Sequence, residues 1–119
     1  MITVTRRLEW DAMHRVPEHE GKCKAFHGHR YVAEVTCLAP QLDSLGRVID
    51  FGTLKDVVGR WIDDTWDHTA ILMRNDPDPT IKQIIHSNKD YGRPVYLLDE
   101  PPTAENIAAE LAAVAQWLL

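Results

Sequence analysis

The sequence predicts an α+β domain. Two N-terminal stretches, 2–14 and 27–38, alternate apolar and polar residues with period two, as half-buried strands do. Two later stretches, 54–66 and 107–118, repeat apolar residues at helical spacing. Turn-rich segments separate them, and the 119 residues, 45% hydrophobic and 26% charged, fit one packed domain spanning 1–119.

In the first strand Ile2, Val4, Leu8, Trp10 and Ala12 alternate with Thr3, Thr5, Arg7, Glu9 and Asp11. Arg6 breaks the alternation. His14 has the parity of Trp10 and Ala12 and shares their face. Residues 17–26 read as a polar loop. In the second strand Tyr31, Ala33, Val35 and Cys37 lie on one side, and His27 and His29 share their parity. Residues 40–46 form a turn region. Thr53 is the expected N-cap of the first helix, with Asp56 at its third position. Leu54, Val57, Val58, Trp61, Ile62 and Trp66 then mark the buried stripe.

The stretch 74–93 is rich in Asp, Pro, Asn and Lys. It reads as a long surface loop with room for one short helix. Val95-Tyr96-Leu97-Leu98 is a short extended segment. Pro101-Pro102-Thr103 opens the second helix, with Ile107, Leu111, Val114 and Leu118 buried. That helix runs to Leu119 without a glycine, a basic last turn or a polar tail. Two strands alone make a poor sheet. The expectation is a C-terminally truncated version of a longer fold, or a sheet completed by another chain.

The formal net charge of −5, with acids and bases interspersed, argues against a nucleic-acid or anionic-membrane partner. Met1 to Arg7 has no apolar run after its basic pair, so no signal peptide is expected. No apolar stretch is long enough to cross a bilayer. Two cysteines do not make a disulfide scaffold, and a cytoplasmic protein is the default.

The strongest chemical signal is His14 with His27-Gly28-His29. Histidines at i and i+2 on a strand project from one face. A third from the neighbouring strand completes a three-imidazole site, which leaves a coordination position on Zn²⁺ open, as in a catalytic centre. Gly28 lets the backbone pass close to a ligand. Cys23, in the loop leading to His27 and flanked by Lys22 and Lys24, reads in three ways. It is a base or nucleophile, a fourth zinc ligand, or an inert loop thiol. Cys37 reads as core.

In Asp67-His68 a carboxylate stands ready to fix a histidine's tautomer, although such a pair is also common at helix ends. Thr103 and Glu105 are explained by capping and the helix dipole alone. Trp10 and Trp66 are the candidates for a ring-stacking wall. His19 and His86 read as solvated loop residues.

Taken together, Trp10-Asp11-Ala12-Met13-His14-Arg15-Val16-Pro17, Glu20-Gly21-Lys22-Cys23, His27-Gly28-His29, Val48-Ile49-Asp50-Phe51-Gly52-Thr53-Leu54-Lys55, Asp67-His68 and Pro102-Thr103-Ala104-Glu105-Asn106 resemble the 6-pyruvoyltetrahydropterin synthase / 6-carboxytetrahydropterin synthase family. The resemblance runs from about residue 8 to residue 107 and is weakest over 74–93. The three residues between Cys23 and His27 resemble the bacterial carboxy branch, which serves queuosine biosynthesis.

The resemblance implies the T-fold, a four-stranded antiparallel sheet with two helices on one face. Subunits join into barrels, usually trimers paired into hexamers, with active sites between subunits. It implies Zn²⁺ on His14, His27 and His29, and Cys23 as proton acceptor. It implies His68, oriented by Asp67, as a second acid/base delivered to an adjacent subunit's site. Thr103 and Glu105 would line the pterin pocket. The implied substrate is 7,8-dihydroneopterin triphosphate. The products are 6-carboxy-5,6,7,8-tetrahydropterin, acetaldehyde and triphosphate, or 6-pyruvoyltetrahydropterin in the other branch. A zinc- or pterin-binding protein without turnover is the third alternative. Family members continue past the second helix into two more strands, the first carrying a pterin-gripping glutamate that nothing here matches.

Overall fold

A computed structural model describes residues 1–92 and 94–119, apart from the side chain of Lys89. Strand β1 (Thr3–His14) pairs antiparallel with β2 (His27–Leu38) along its whole length, from Thr3 opposite Leu38 to His14 opposite His27. That register matters most for the site. It sets His14 across from His27 and Ala12 across from His29, so three imidazoles meet at one end of the hairpin.

Residues 51–65 form one helix, α1. It comprises an α-helical turn Phe51–Thr53, a π-helical stretch Leu54–Gly59 and an α-helical end Arg60–Thr65. Thr53 is not its cap: it has helical dihedrals (φ −63°, ψ −42°), and Asp50 is the N-cap, with extended backbone. The Asp50 carbonyl already accepts the Thr53 and Leu54 amides, so the helix starts before the threonine. At Gly59 α1 passes close to β1, where a Cβ would stand in van der Waals contact with a Leu8 methyl carbon at 3.4 Å.

Strands β3 (Ala70–Met73) and β4 (Val95–Leu98) extend the sheet to the order β2-β1-β3-β4. Both added pairings are parallel, so the sheet is mixed and not antiparallel throughout. The cause is connectivity. The chain returns through α1 before β3, and crosses from β3 to β4 through a helix, the connection that parallel neighbours require.

That helix, α2 (Pro79–Tyr91), corrects the surface-loop expectation for 74–93, of which Arg93 lies outside the described residues. Asp78 caps it by accepting the Thr80 N–H, and Pro79 occupies its first turn. Gly92, in the left-handed region at φ 63°, closes it by donating to the Asn88 carbonyl. The last helix, α3 (Ala104–Leu118), follows the cap expected at Thr103, whose hydroxyl accepts the Asn106 N–H.

The helices cover both faces of the sheet. Leu8, Trp10 and Ala12 pack with Leu54 and Ile62 of α1 and Ile107 of α3 in the main core. Ala70, Leu72 and Ile81 form a second, smaller core, with Met13 and Ile84 against it. The two-helix face is therefore present, and α2 covers part of the opposite one. No described helix is long and apolar enough to cross a membrane.

Candidate metal and acid-base site

The face shared by Trp10, Ala12 and His14 turns inward, and His14 is buried at 7% exposure. His27 is half-buried and His29 exposed, so the cluster opens from the core toward solvent. His14 Nε2 lies 3.0 Å from His27 Nε2 and 3.2 Å from His29 Nε2. Among the described residues, these three form the group able to hold a metal, with their ligand atoms within 4.8 Å of one another.

The backbone fixes which nitrogen each ring offers. His14 Nδ1 donates to the Pro102 carbonyl at 2.8 Å, His27 Nδ1 to Ala25 at 2.8 Å and His29 Nδ1 to Arg30 at 3.0 Å. A carbonyl can only accept, so each neutral ring carries its proton on Nδ1 and turns a lone pair inward from Nε2. Three lone pairs this close repel unless a cation sits among them. The outward hydrogen bonds are the kind that orient histidine ligands. Burial holds the His14 pKa below its ordinary value, the Pro102 carbonyl opposes this, and His27 and His29 reinforce it. His14 is thus kept as the neutral imidazole that a metal needs.

Cys23 lies half-buried in a short 3-10 turn, Lys22–Lys24. Its sulfur does not join the histidine group. It stands near Tyr31, whose ring centroid is 4.3 Å from that of His29 and 5.5 Å from that of His14. Burial, with a smaller contribution from Cys23, raises the Tyr31 pKa well above its ordinary value. The Tyr31 hydroxyl is buried and makes no hydrogen bond. Parity alone marks Tyr31 as an apolar-side residue of β2; its position two residues after His29 is the signal that it borders the site.

Asp67 and His68 leave the end of α1 as a braced pair. His68 adopts φ 63°, costly for a residue with a side chain. Two bonds to one residue hold it there: His68 N–H to the Asp11 carbonyl at 2.6 Å, and Asp11 N–H to Asp67 Oδ1 at 3.0 Å. Asp67 Oδ2 accepts from His68 Nδ1 at 2.9 Å. The Asp11 amide is the main influence holding the Asp67 carboxyl below the usual range; burial opposes it, and His68 and Arg30 add to the lowering. The His68 side chain is 79% exposed. It borders an open groove floored by Met13, Ala70 and Ile84, with His29 on the same groove, and no hydrogen bond joins it to the three histidines.

Thr103 caps α3 one residue after the carbonyl that orients His14, so this block reaches the site through Pro102. Glu105 is exposed in the first turn of α3. Two expectations need correction. Trp10 and Trp66, at 3% and 0% exposure, are core residues and no wall for a ligand, since Trp10 stacks on Tyr31 at 5.2 Å and Trp66 leans against Trp10. His19 is half-buried and accepts the Gly21 N–H, shaping the loop. The close approach at Gly28 is to β1, where a Cβ would stand 3.4 Å from the Ala12 carbonyl, and Gly28 also lines the groove beside His29.

Comparison with known proteins places these features in context. The chain matches the family described as 6-pyruvoyl tetrahydropterin synthase over residues 3–119. It is 49% identical over 111 residues to a 6-carboxy-5,6,7,8-tetrahydropterin synthase from Rickettsia bellii, covering 93% of this chain and 78% of that one. It is 31% identical to the enzyme of the same name from Haemophilus influenzae, covering 91% and 77%. Among solved structures, a Caenorhabditis elegans 6-pyruvoyl tetrahydropterin synthase superposes with TM-score 0.64 at 23% identity, covering 99% of this chain and 79% of that one. An uncharacterized Wolinella succinogenes protein superposes with TM-score 0.80 at 20% identity, covering 98% and 83%. These two likenesses establish the fold.

Proposed function

The chain belongs to the 6-pyruvoyl tetrahydropterin synthase family, a family of enzymes with the T-fold, and on that premise we propose that it is a zinc-dependent 6-carboxytetrahydropterin synthase. The reaction converts 7,8-dihydroneopterin triphosphate to 6-carboxy-5,6,7,8-tetrahydropterin, acetaldehyde and triphosphate, a step toward queuosine. The observation that carries the reading is the convergence of three Nε2 lone pairs, each ring locked by an Nδ1–H to a backbone carbonyl.

His14, His27 and His29 would hold the metal, and their all-imidazole donor set suits Zn²⁺. A zinc ion there supplies Lewis-acid polarisation of the hydroxyls on the substrate side chain. Cys23, near Tyr31 beside the cluster and outside the ligand set, takes the proton from the side-chain carbon or hydroxyl in this reading. His68 returns a proton, its ring held in place by Asp67. Its exposure supports a role at the site of a second copy of the chain, in a homo-oligomer with active sites between subunits. Thr103 and Glu105, at the start of α3, lie on the segment whose Pro102 carbonyl orients His14, and they line the pterin pocket in this reading.

Mass spectrometry of the products tests the proposal. Zinc-loaded protein given 7,8-dihydroneopterin triphosphate should release acetaldehyde and triphosphate together. Triphosphate with a 6-pyruvoyl product and no acetaldehyde assigns the chain to the other branch. No turnover with zinc bound leaves only a binding protein.

A further inference from the structure

The geometry points to Arg15 and Asp76 as a positioning pair that sets the Cys23 turn against the histidine cluster, an inference that rests on the reading of Cys23 as proton acceptor. Asp76 is fully buried. A carboxylate withdrawn from water needs a charged partner and saturated oxygens. Arg15 supplies the partner as a fork: Nε to Oδ2 at 2.8 Å and Nη2 to Oδ1 at 3.2 Å. Oδ1 also accepts the Asp78 N–H at 2.9 Å.

The third arm of the guanidinium, Nη1, lies 3.6 Å from the Asp78 carboxylate and also reaches the Cys23 turn. Arg15 Nη1 donates to the Lys24 carbonyl at 2.8 Å, and the next backbone group along β1's exit, Val16 N–H, donates to the Cys23 carbonyl at 2.9 Å. The two residues after His14 therefore grip two consecutive carbonyls, that of Cys23 and the one after it. The turn that carries Cys23 buries none of its residues in a core, so these polar fasteners hold it. One planar guanidinium can serve a carboxylate bidentately and a carbonyl at the same time, which an ammonium cannot. Burial of Asp76 fixes the fork, and the fork aims the third arm. The segment before α2, far from Cys23 in sequence, thereby sets the placement of the thiol.

The test is Arg15→Lys and Asp76→Asn in the zinc-loaded full chain. Two readouts are followed: steady-state turnover of 7,8-dihydroneopterin triphosphate, and iodoacetamide labelling of Cys23 and Cys37 resolved by peptide mass. Both variants should keep their zinc and their KM. Their kcat should fall about tenfold to a hundredfold, the scale of a misplaced reacting group. The labelling rate of Cys23 should change several-fold while that of Cys37 stays put. A kcat and a Cys23 labelling rate equal to the parent's in Arg15→Lys overturn the inference. Cys23→Ala run alongside separates the two layers: full turnover there sinks the reading of Cys23, whereas a dead Cys23→Ala with an unimpaired Arg15→Lys sinks only the positioning role. Should both variants fail to fold, hydrogen exchange of the parent decides. Protection of the Val16 and Ala25 amides like that of β1 supports the fastened turn, and loop-like exchange refutes it.

Discussion

The histidine cluster and the Asp67–His68 pair sit near the same end of β1, and they are built in opposite ways. The cluster is anchored from outside inward: each ring is tied at Nδ1 to a main-chain carbonyl, and the three free nitrogens face one another, His14 being 7% exposed. The pair is anchored from inside outward: two backbone bonds to Asp11 and one side-chain bond brace it, and the His68 side chain then stands 79% exposed. A site completed within one chain needs no exposed end. The cluster thus closes on itself, whereas the pair ends at solvent on a positive-φ backbone held by Asp11.

The comparison is broken most severely at the cluster. His29→Ala removes one of three imidazoles from its exposed side, where no core cavity results. Loss of zinc should exceed the roughly 10–100-fold typical of a lost outer partner. Metal analysis after dialysis should find the variant empty and turnover absent, with the melting transition still cooperative. Retention of zinc by the two remaining rings would mean that the three nitrogens do not act as one site.

Cys23→Ala asks whether the thiol belongs with the cluster or with the chemistry. The sulfur lies outside the metal-competent group, so zinc should stay bound. The expected fall in kcat is about 10²- to 10⁴-fold, the range for one positioned acid or base. Zinc lost together with activity would make Cys23 a ligand instead.

Asp67→Asn attacks the pair alone. Its amide oxygen can still accept from Asp11, but the carboxylate that orients His68 is gone. Zinc content should not change, and kcat should fall about 10–100-fold. The pH dependence carries a sign that can be checked. The folded-state pKa of Asp67 is depressed, chiefly by the Asp11 amide and then by His68. The resulting stabilisation is present above the ordinary carboxylate value and is lost as pH falls through the lower, folded-state value. Thermal melts taken from neutral pH downward should show the parent losing more stability in acid than Asp67→Asn. Parallel curves would show that the pair contributes nothing to pH-dependent stability.

What could be read in advance follows the same division. The β1–β2 hairpin and its histidines were legible because period two on both strands fixes parity, and parity fixes the face. The Thr103 cap was legible for a similar local reason. The Arg15–Asp76 link was not, because it joins positions 61 apart with no periodic pattern between them. Nor was the Pro102 carbonyl's hold on His14, since a main-chain acceptor leaves no mark in side-chain types. Strand β3 is four residues long, too short for its alternation to be read against the neighbouring turn. Helix α2 is longer than expected: the Asp, Pro, Asn and Lys content suggests a loop with one short helix, and the helix takes up Pro79–Tyr91. Yet Asp78-Pro79 at the start, Ile81, Ile84 and Ile85 at helical spacing, and Gly92 at the end spell a capped amphipathic helix.

The smallest effect probes that last element, and through it the independence of the two regions. Gly92 ends α2 at φ 63°, and a Cβ there would meet nothing within 4 Å. Gly92→Ala therefore clashes with no neighbour and suffers only the left-handed backbone cost, about 1 kcal/mol. For a domain of this size that lowers Tm by about 4 °C. Gly92→Asn should lose less, because asparagine tolerates this conformation. Neither change touches a histidine, so zinc content and kcat should match the parent's. A fall in kcat that tracks the loss of α2 stability would show instead that the helix carries strain into the site, with Asp76, just before its cap, as the connection through which it acts.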